Sequence, residues 1–545
     1  MRMRGALQKT LTGILTGGCS VVVKTAINIF LIPVIIAHLG LSQFSLYVLL
    51  VSVYELSTLL DMGAGSALVT LLSREDNESS RRQQMLQAGH VWFIVVALLM
   101  VGIGLVLTSG FTTWFNIAPD LASIVNLALF WVILESVVAL YGFYYQSCLL
   151  SNLGHQWSNI AETAYYLGAN AGSLVAVIFG YGLAEIFFIR FCFSVMKLLF
   201  VMRHAYQSEK EQNTLSGLDA ALAKDSQATG ASKKSEKPLY LILLPFQKQA
   251  CQALFSPLKA LAKLSSHALM INFSIIVSHK IDNFVIATFL PLQAVGIYEI
   301  VFRFLGIIIQ MALKCNEGLF PIFAGLAPLN QRAEATLIFK RMSSFLLCVA
   351  GSLILLIAIN YDTLFGLFSA NKISIEQTYM LLAIAIPTVF SGVSQMPANA
   401  WLFTWGFQRY LTVSSLVAAG ANLIISLALV IPLGIVGVAL GTLIPQLIQH
   451  QFSLIATVCR KLQISLGDYL KSVYGAILLP MAVCYLWAQL WHPHIVASQY
   501  PLAMITLVSA IGFFLALLTW LKLTVTPDEM TQIKRFWRKR AVQPV

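Results

Sequence analysis

Apolar runs of about 20 residues, the length that crosses a bilayer as a helix, recur along the whole chain. Fourteen fall near 10–38, 44–72, 89–109, 121–145, 159–180, 183–203, 266–290, 295–325, 342–361, 376–403, 409–431, 434–458, 468–490 and 500–521. Polar and basic residues gather between them. The pattern predicts an all-α polytopic membrane protein with about 14 transmembrane helices. The first run follows Arg2 and Arg4 but is too long for a signal peptide and is interrupted by Lys24, so it reads as a retained helix.

The pattern also repeats. Gly154, Gln156, Gly168, Ala169, Asn170 and Gly182 recur as Gly406, Gln408, Gly420, Ala421, Asn422 and Gly434, all at one offset of 252 residues. A weaker match at offset 251 pairs Leu39, Leu41 and Tyr47 with Leu290, Leu292 and Tyr298. Two six-helix lobes follow, pseudo-symmetric and parallel, with helices 13 and 14 appended. The expected divisions are 1–204 for the first lobe, 205–264 for a cytoplasmic linker, 265–461 for the second lobe, 462–522 for the last two helices and 523–545 for a basic tail. The matched residues are small or amide-bearing and suit tight helix packing. Within the linker, residues 208–237 are polar and poor in aromatics, as disordered segments are. Residues 238–264 mix Leu, Phe and Tyr with Lys248, Lys259 and Lys263, which fits either an interfacial amphipathic helix or a loosely ordered loop.

Composition excludes a soluble fold. The 545 residues are 58% hydrophobic and 11% charged, against about 25% charged in soluble domains. Topology follows from Lys and Arg. Twenty-seven of the 35 fall on the side of the N-terminus, one (Lys372) on the other, and seven inside helices. Both termini are therefore expected in the cytoplasm. The net charge of +12 is explained by anionic lipid headgroups without nucleic acid. The eight cysteines mostly lie within helices with no Cys-x-x-Cys pair, which points to packing rather than disulfides or a metal site. The outward loops are short, so no catalytic site is expected there.

Charge inside the membrane carries the candidate chemistry. Each charged group at the bilayer centre costs roughly 3 kcal/mol on insertion scales, so such groups must pair or line a hydrated cavity. Lys24, Glu55, Asp61, Glu135, Arg190, Lys197, Lys280, Asp282 and Arg303 lie at such depths. Most come from helices 1, 2, 7 and 8, which suggests a central polar cavity. Lys24, Arg190, Lys280 and Arg303 are candidate substrate contacts, because Lys supplies a point charge and Arg a bidentate fork for a phosphate or acidic sugar. Glu55, Asp61, Glu135 and Asp282 are candidates for ion coupling or gating, since buried carboxylates can carry protons or bind sodium. Spacing also allows same-helix pairing of Glu299 with Arg303 and of Lys314 with Glu317. Glu162, Glu185 and Lys471 sit near helix ends and would snorkel. Tyr144, Tyr145, Trp157, Tyr165, Tyr166, Trp401 and Trp405 are able to stack on sugars, against the simpler reading of interfacial and packing aromatics.

Several stretches resemble one family. They are Leu31–Gly40 (LIPVIIAHLG) followed by Phe44–Leu50, Leu59–Thr70 (LLDMGAGSALVT), Lys280–Tyr298 (KIDNFVIATFLPLQAVGIY), Leu319–Phe323 (LFPIF) and Ala421–Gly441 (ANLIISLALVIPLGIVGVALG). In order and spacing the chain is similar to Wzx-type polysaccharide or O-antigen flippases, of the superfamily that holds multidrug extrusion transporters and lipid II flippases. The resemblance covers most of residues 10–460. It implies a two-lobed bundle with alternating access in the bacterial inner membrane, moving an undecaprenyl-diphosphate-linked oligosaccharide to the outer leaflet. Asp61 and Asp282 fall at recurrent family positions. A polysaccharide polymerase and a chain-length regulator would be partners, a proton or sodium gradient the driving force, and no cofactor is implied. The family's usual compact connection is absent at 205–237.

Two other readings remain open: an ion-coupled drug or metabolite extruder of the same superfamily, and a membrane glycosyltransferase or polymerase. The mid-helix cations argue against the first and the bare outward side against the second, so a non-enzyme is expected.

Overall fold

A computed structural model describes residues 31–524 except 62, 75–78, 153, 225–247, 328–330, 370–372 and 374. Lys24, most of the first expected helix and the basic tail lie outside the described residues. Among those described there is no strand. The helices are α1 (Leu31–Asp61), α2 (Ala64–Arg74), α3 (Ser79–Trp114), α4 (Pro119–Ser151), α5 (His155–Ile178), α6 (Leu183–Lys224), α7 (Lys248–Phe289), α8 (Gln293–Glu317), α9 (Leu319–Leu326), α10 (Arg332–Ile359), α11 (Tyr361–Phe368), α12 (Glu376–Ser394), α13 (Met396–Thr404), α14 (Gln408–Leu433), α15 (Ile435–Leu447), α16 (Ala456–Leu462), α17 (Leu466–Val496) and α18 (Pro501–Thr524). Between α15 and α16 the backbone winds as a π-helix, Ile448–Ile455.

Each expected helix from residue 44 onward coincides with one helix or with a broken pair. Among the described residues nine spans are long and apolar enough to cross a membrane. Helices α5, α6 and α7 have the length but interrupt their apolar faces with Glu162, Arg190, Lys197, Lys280 and Asp282. Stripes of exposed aliphatic residues confirm the setting. On α14, Val417, Ile424 and Ile431 are 67%, 69% and 77% exposed, a surface that only lipid would cover. This is a multi-pass, all-α membrane protein.

The chain forms two compact units, residues 1–296 and 297–545. In the first, α4 packs on α3, α6 and α2, α5 packs on α6, and α7 packs on α2 and α3. Leu68, Phe93, Tyr144 and Leu261 share its core. In the second, α10 lies against α17, α18 and α12, and α14 pairs with α15. Phe339, Trp401, Tyr469 and Trp520 fill that core.

Two departures concern the stretch read as a linker. Helix α6 continues through residues 205–224 instead of dissolving into coil. Ala, Leu and Lys there are strong helix formers, and the extension is tied down at its start. Arg82 gives hydrogen bonds to Glu209 (2.6 Å), to the Leu72 carbonyl (2.9 Å) and to Asn152 (2.8 Å). At the other end, residues 248–264 are neither a separate interfacial helix nor a loose loop. They are the first turns of α7, with Leu261 buried.

The repeat falls on two helical hairpins, α5–α6 and α14–α15. Both turn on a glycine in the left-handed region, Gly180 at φ 84° and Gly434 at φ 60°. Both pack through glycines four apart, the spacing that lets membrane helices approach closely. In the first hairpin these are Gly168 and Gly172 of α5, where a methyl group would meet Phe193 and Ile189. In the second they are Gly437 and Gly441 of α15, where it would run into Leu429 and Ser426. The repeat identity Gly420 faces open space, so the tight-packing role expected of the matched glycines holds for Gly168 and moves to the opposite helix in the second hairpin. Gly441→Ala should therefore destabilise the protein by about 1–3 kcal/mol, while Gly420→Ala should be neutral or stabilise it by up to about 1 kcal/mol; thermal unfolding in detergent measures both.

Candidate functional site

The charged residues of the first unit gather where helical spacing puts them on common faces. On α5, Glu162, Tyr165 and Tyr166 stand at i, i+3 and i+4, and on α6, Arg190 and Lys197 stand seven apart. α1 supplies Tyr54 and Glu55, α4 supplies Glu135 and α7 supplies Lys280. Arg190 grips Glu135 with its fork, Nε to Oε2 at 3.2 Å and Nη2 to Oε1 at 3.0 Å. The Tyr165 hydroxyl donates a further hydrogen bond to Glu135. The guanidinium lies 5.4 Å from the centre of the Tyr54 ring and 5.7 Å from that of Phe187. The two charged side chains are 8% and 0% exposed.

Two more ion pairs flank this one. Lys197 Nζ is 2.9 Å from Glu162 and 5.4 Å from the centre of the Tyr165 ring. Lys280 pairs with Glu55 and is the most open of the three cations, its side chain 24% exposed and that of Glu55 37%. Tyr165 touches both Glu135 and Lys197, and Tyr54, next to Glu55 on α1, lies against Arg190, so the three pairs neighbour one another in one array. Three cations face three carboxylates, so the array is balanced. In a low-dielectric site a bidentate, hydrogen-bonded pair is the arrangement that offsets desolvation.

The remaining candidates lie elsewhere. Asp61 ends α1, where its carboxylate accepts the Gly63 amide hydrogen at the start of α2. A carboxylate there also answers the positive end of that helix. Asp282 is buried at 2% exposure, and its neighbour Asn283 gives a hydrogen bond to Ser52 on α1 at 3.0 Å. Arg303, in the second unit, pairs with Glu299 one turn away on its own helix. Of the aromatic candidates, Tyr165 joins the array, Tyr144 is core, and Trp401 is buried and stacked on Trp405 at 4.8 Å.

Sequence reasoning assigned Glu135 and Arg190 to separate tasks, and they are partners. It read Glu162 as snorkelling, and Glu162 holds Lys197. It missed Tyr54 and the Arg82–Glu209 pair. Those two residues are 127 positions apart, and no local spacing links them.

No protein-family model matches the sequence, and no curated protein matches it. Solved structures do. A lipid II flippase, MurJ, in an inward closed conformation aligns with a TM-score of 0.60 at 10% identity, over 93% of this chain and 99% of that one. A multidrug resistance MATE family transporter of the MOP superfamily aligns in its inward-facing conformation with a TM-score of 0.57 at 12% identity, over 82% and 96%. An outward-facing MATE structure aligns at 0.52 and 13%, over 85% and 96%. This chain has their fold. In this fold α1, α4, α5, α6 and α7 carry three ion pairs of the first unit, of which Arg190–Glu135 is buried.

Removing one partner of the sealed pair strands the other. Arg190→Met and Glu135→Gln should each cost about 3–5 kcal/mol of stability, and the double variant should recover most of the loss. Thermal unfolding of the three purified proteins measures the coupling.

Proposed function

We propose that the chain is a flippase for an undecaprenyl-diphosphate-linked oligosaccharide. It carries this lipid from the inner to the outer leaflet of the bacterial cytoplasmic membrane by alternating access, for surface polysaccharide synthesis. The observation that carries the reading is the open Lys280–Glu55 pair beside two more enclosed pairs. A diphosphate competes with a carboxylate for the same ammonium. Lys280 is the cation able to change partners, because part of it is already exposed. Arg190 is held by its fork, by Tyr165 and by two aromatic faces, so its work is to keep α4 and α6 in register.

The fold supports the reading, since one of the matching structures is a lipid II flippase. Glu55, released when Lys280 turns to phosphate, is the natural place for a coupling proton or sodium ion. Asp61, Asp282 and Glu135 would then act on helix positions rather than on cargo. Lys24 and Arg303 remain candidate contacts on the strength of their depth. A polymerase and a chain-length regulator would take the product on the outer face.

The MATE structures favour a second reading, an ion-coupled extruder of drugs or metabolites. The flippase stands first because the lipid II flippase aligns over more of this chain, 93% against 82% and 85%.

Loss of the protein should accumulate lipid-linked oligosaccharide on the cytoplasmic face. Lys280→Ala should do the same while inserting and folding normally, and Lys280→Arg should retain part of the export. Intact surface glycan in the Lys280→Ala strain would overturn the assignment.

A further inference from the structure

The helix that starts at Ile435 changes its winding partway. Ile448–Ile455 is a π-helix of eight residues, between α15 and α16. π-Helices are rare, usually one turn long, and concentrated at functional sites. This one begins three residues after Pro445, which has no N–H to give to the preceding turn.

Its polar residues reach several neighbouring helices. Gln449 gives a hydrogen bond to Ser415 on α14 at 3.1 Å. His450 Nδ1 lies 3.1 Å from the Ser391 hydroxyl on α12. Gln451 donates to Ser394 at 2.7 Å and accepts from Tyr474 of α17 at 3.3 Å. Ser394 in turn donates to the Ser391 carbonyl at 2.7 Å. Ser453 meets the Tyr410 hydroxyl at 2.5 Å. His450, Ser391 and Ser394 are 8%, 1% and 0% exposed. Directly after Ser394 the span Thr378–Thr404 breaks between α12 and α13 at Gln395, whose Oε1 is buried without a hydrogen-bond partner. Two irregular stretches of backbone thus lie side by side in the second unit. Broken helices at membrane depth are tolerated where they are enclosed by protein or line a site.

We propose that His450 is a proton-binding site and that the π-helix is the element that responds to its charge. The chain His450–Ser391 and Ser394–Gln451–Tyr474 is made of groups that either donate or accept. When a proton adds to the imidazole, both ring nitrogens become donors, the Ser391 oxygen turns to accept, and loss of the proton reverses the change. The π-helix supplies a discrete alternative. Returning it to α-winding moves the following side chains by one residue, roughly 100° of rotation, and would separate His450, Gln451 and Ser453 from their present partners.

The other ionisable groups on the packed elements are Glu376 and Tyr379 at the start of α12, Arg409 and Tyr410 at the start of α14, Cys459, Arg460 and Lys461 in α16, and Tyr474 with Asp468, Tyr469, Lys471, Cys484, Tyr485, His492 and His494 on α17. Arg460 is ten residues from His450, about 15 Å along the helix, and Tyr474 is engaged by Gln451. The Ser391 hydroxyl meets the ring of His450 directly, and a return to α-winding would part them, so the proton affinity of His450 depends on the winding. That the proton drives transport rests on the reading above.

Hydrogen–deuterium exchange of residues 445–456 tests the site in the full chain, in nanodiscs without cargo, across about pH 5–8. After correction for intrinsic rates, exchange in the native protein should change about tenfold with a single midpoint. His450→Gln should flatten the profile and Ser391→Ala should displace the midpoint. A flat native profile, or a His450→Gln profile equal to the native one, overturns the proposal. Should His450→Gln fail to fold, an undisplaced midpoint in Ser391→Ala overturns it instead. Because no cargo is present, these outcomes leave the flippase reading standing. A pH-dependent profile in a protein that moves no lipid overturns that reading alone.

Discussion

A charged side chain at membrane depth persists only when another group answers its field, and in this chain that demand falls hardest on Arg190 and Glu135. Both are buried, and between them stand two fork hydrogen bonds, a tyrosine hydroxyl and two aromatic rings. The pair joins α4 to α6, the most extensively packed helices of the first unit. Tyr165 draws α5 into the same contact and Tyr54 draws in α1. The arrangement of four helices therefore depends on one neutralised charge. The pairs beside it, Lys197–Glu162 and Lys280–Glu55, are progressively more open. The array grades from a sealed pair to an open one.

The proposed alternating access would need helices that pack closely without side-chain entanglement. Glycines four apart on α5 and on α15 would serve this end in the two repeat hairpins. Among the described residues, three breaks part α1 from α2 at Asp61, α8 from α9 at Gly318, and α12 from α13 at Gln395. A broken helix can bend at one place while the turns on either side stay rigid. In two of the three, a polar side chain stands at the break itself.

Helix positions from residue 44 onward and the two glycine-packed hairpins were legible because hydrophobic length and residue identity are local properties. So were the charged residues that matter, because a charge within an apolar run is conspicuous. Their partners were not. Glu135 and Arg190 are 55 positions apart and Lys280 and Glu55 are 225 apart, so only the folded chain decides which carboxylate meets which cation. The helical extension at 205–224 was read as coil because its polarity outweighed its helix propensity, and Glu209 gave no local sign of its bond to Arg82. The π-helix was invisible for a related reason: Pro445 marks a disturbance, but the winding that follows is set by partners on α12, α14 and α17.

The account rests on a cation that trades a carboxylate for a diphosphate. Reconstituted liposomes carrying a fluorescent undecaprenyl-linked saccharide test this most directly, with the diphosphate-linked lipid compared against its monophosphate counterpart and leaflet location read by quenching from outside. The native protein should move the diphosphate-linked lipid between leaflets, move the monophosphate form several-fold more slowly, and lose the preference in Lys280→Ala. Equal rates for the two lipids, or a preference unchanged by Lys280→Ala, would contradict it.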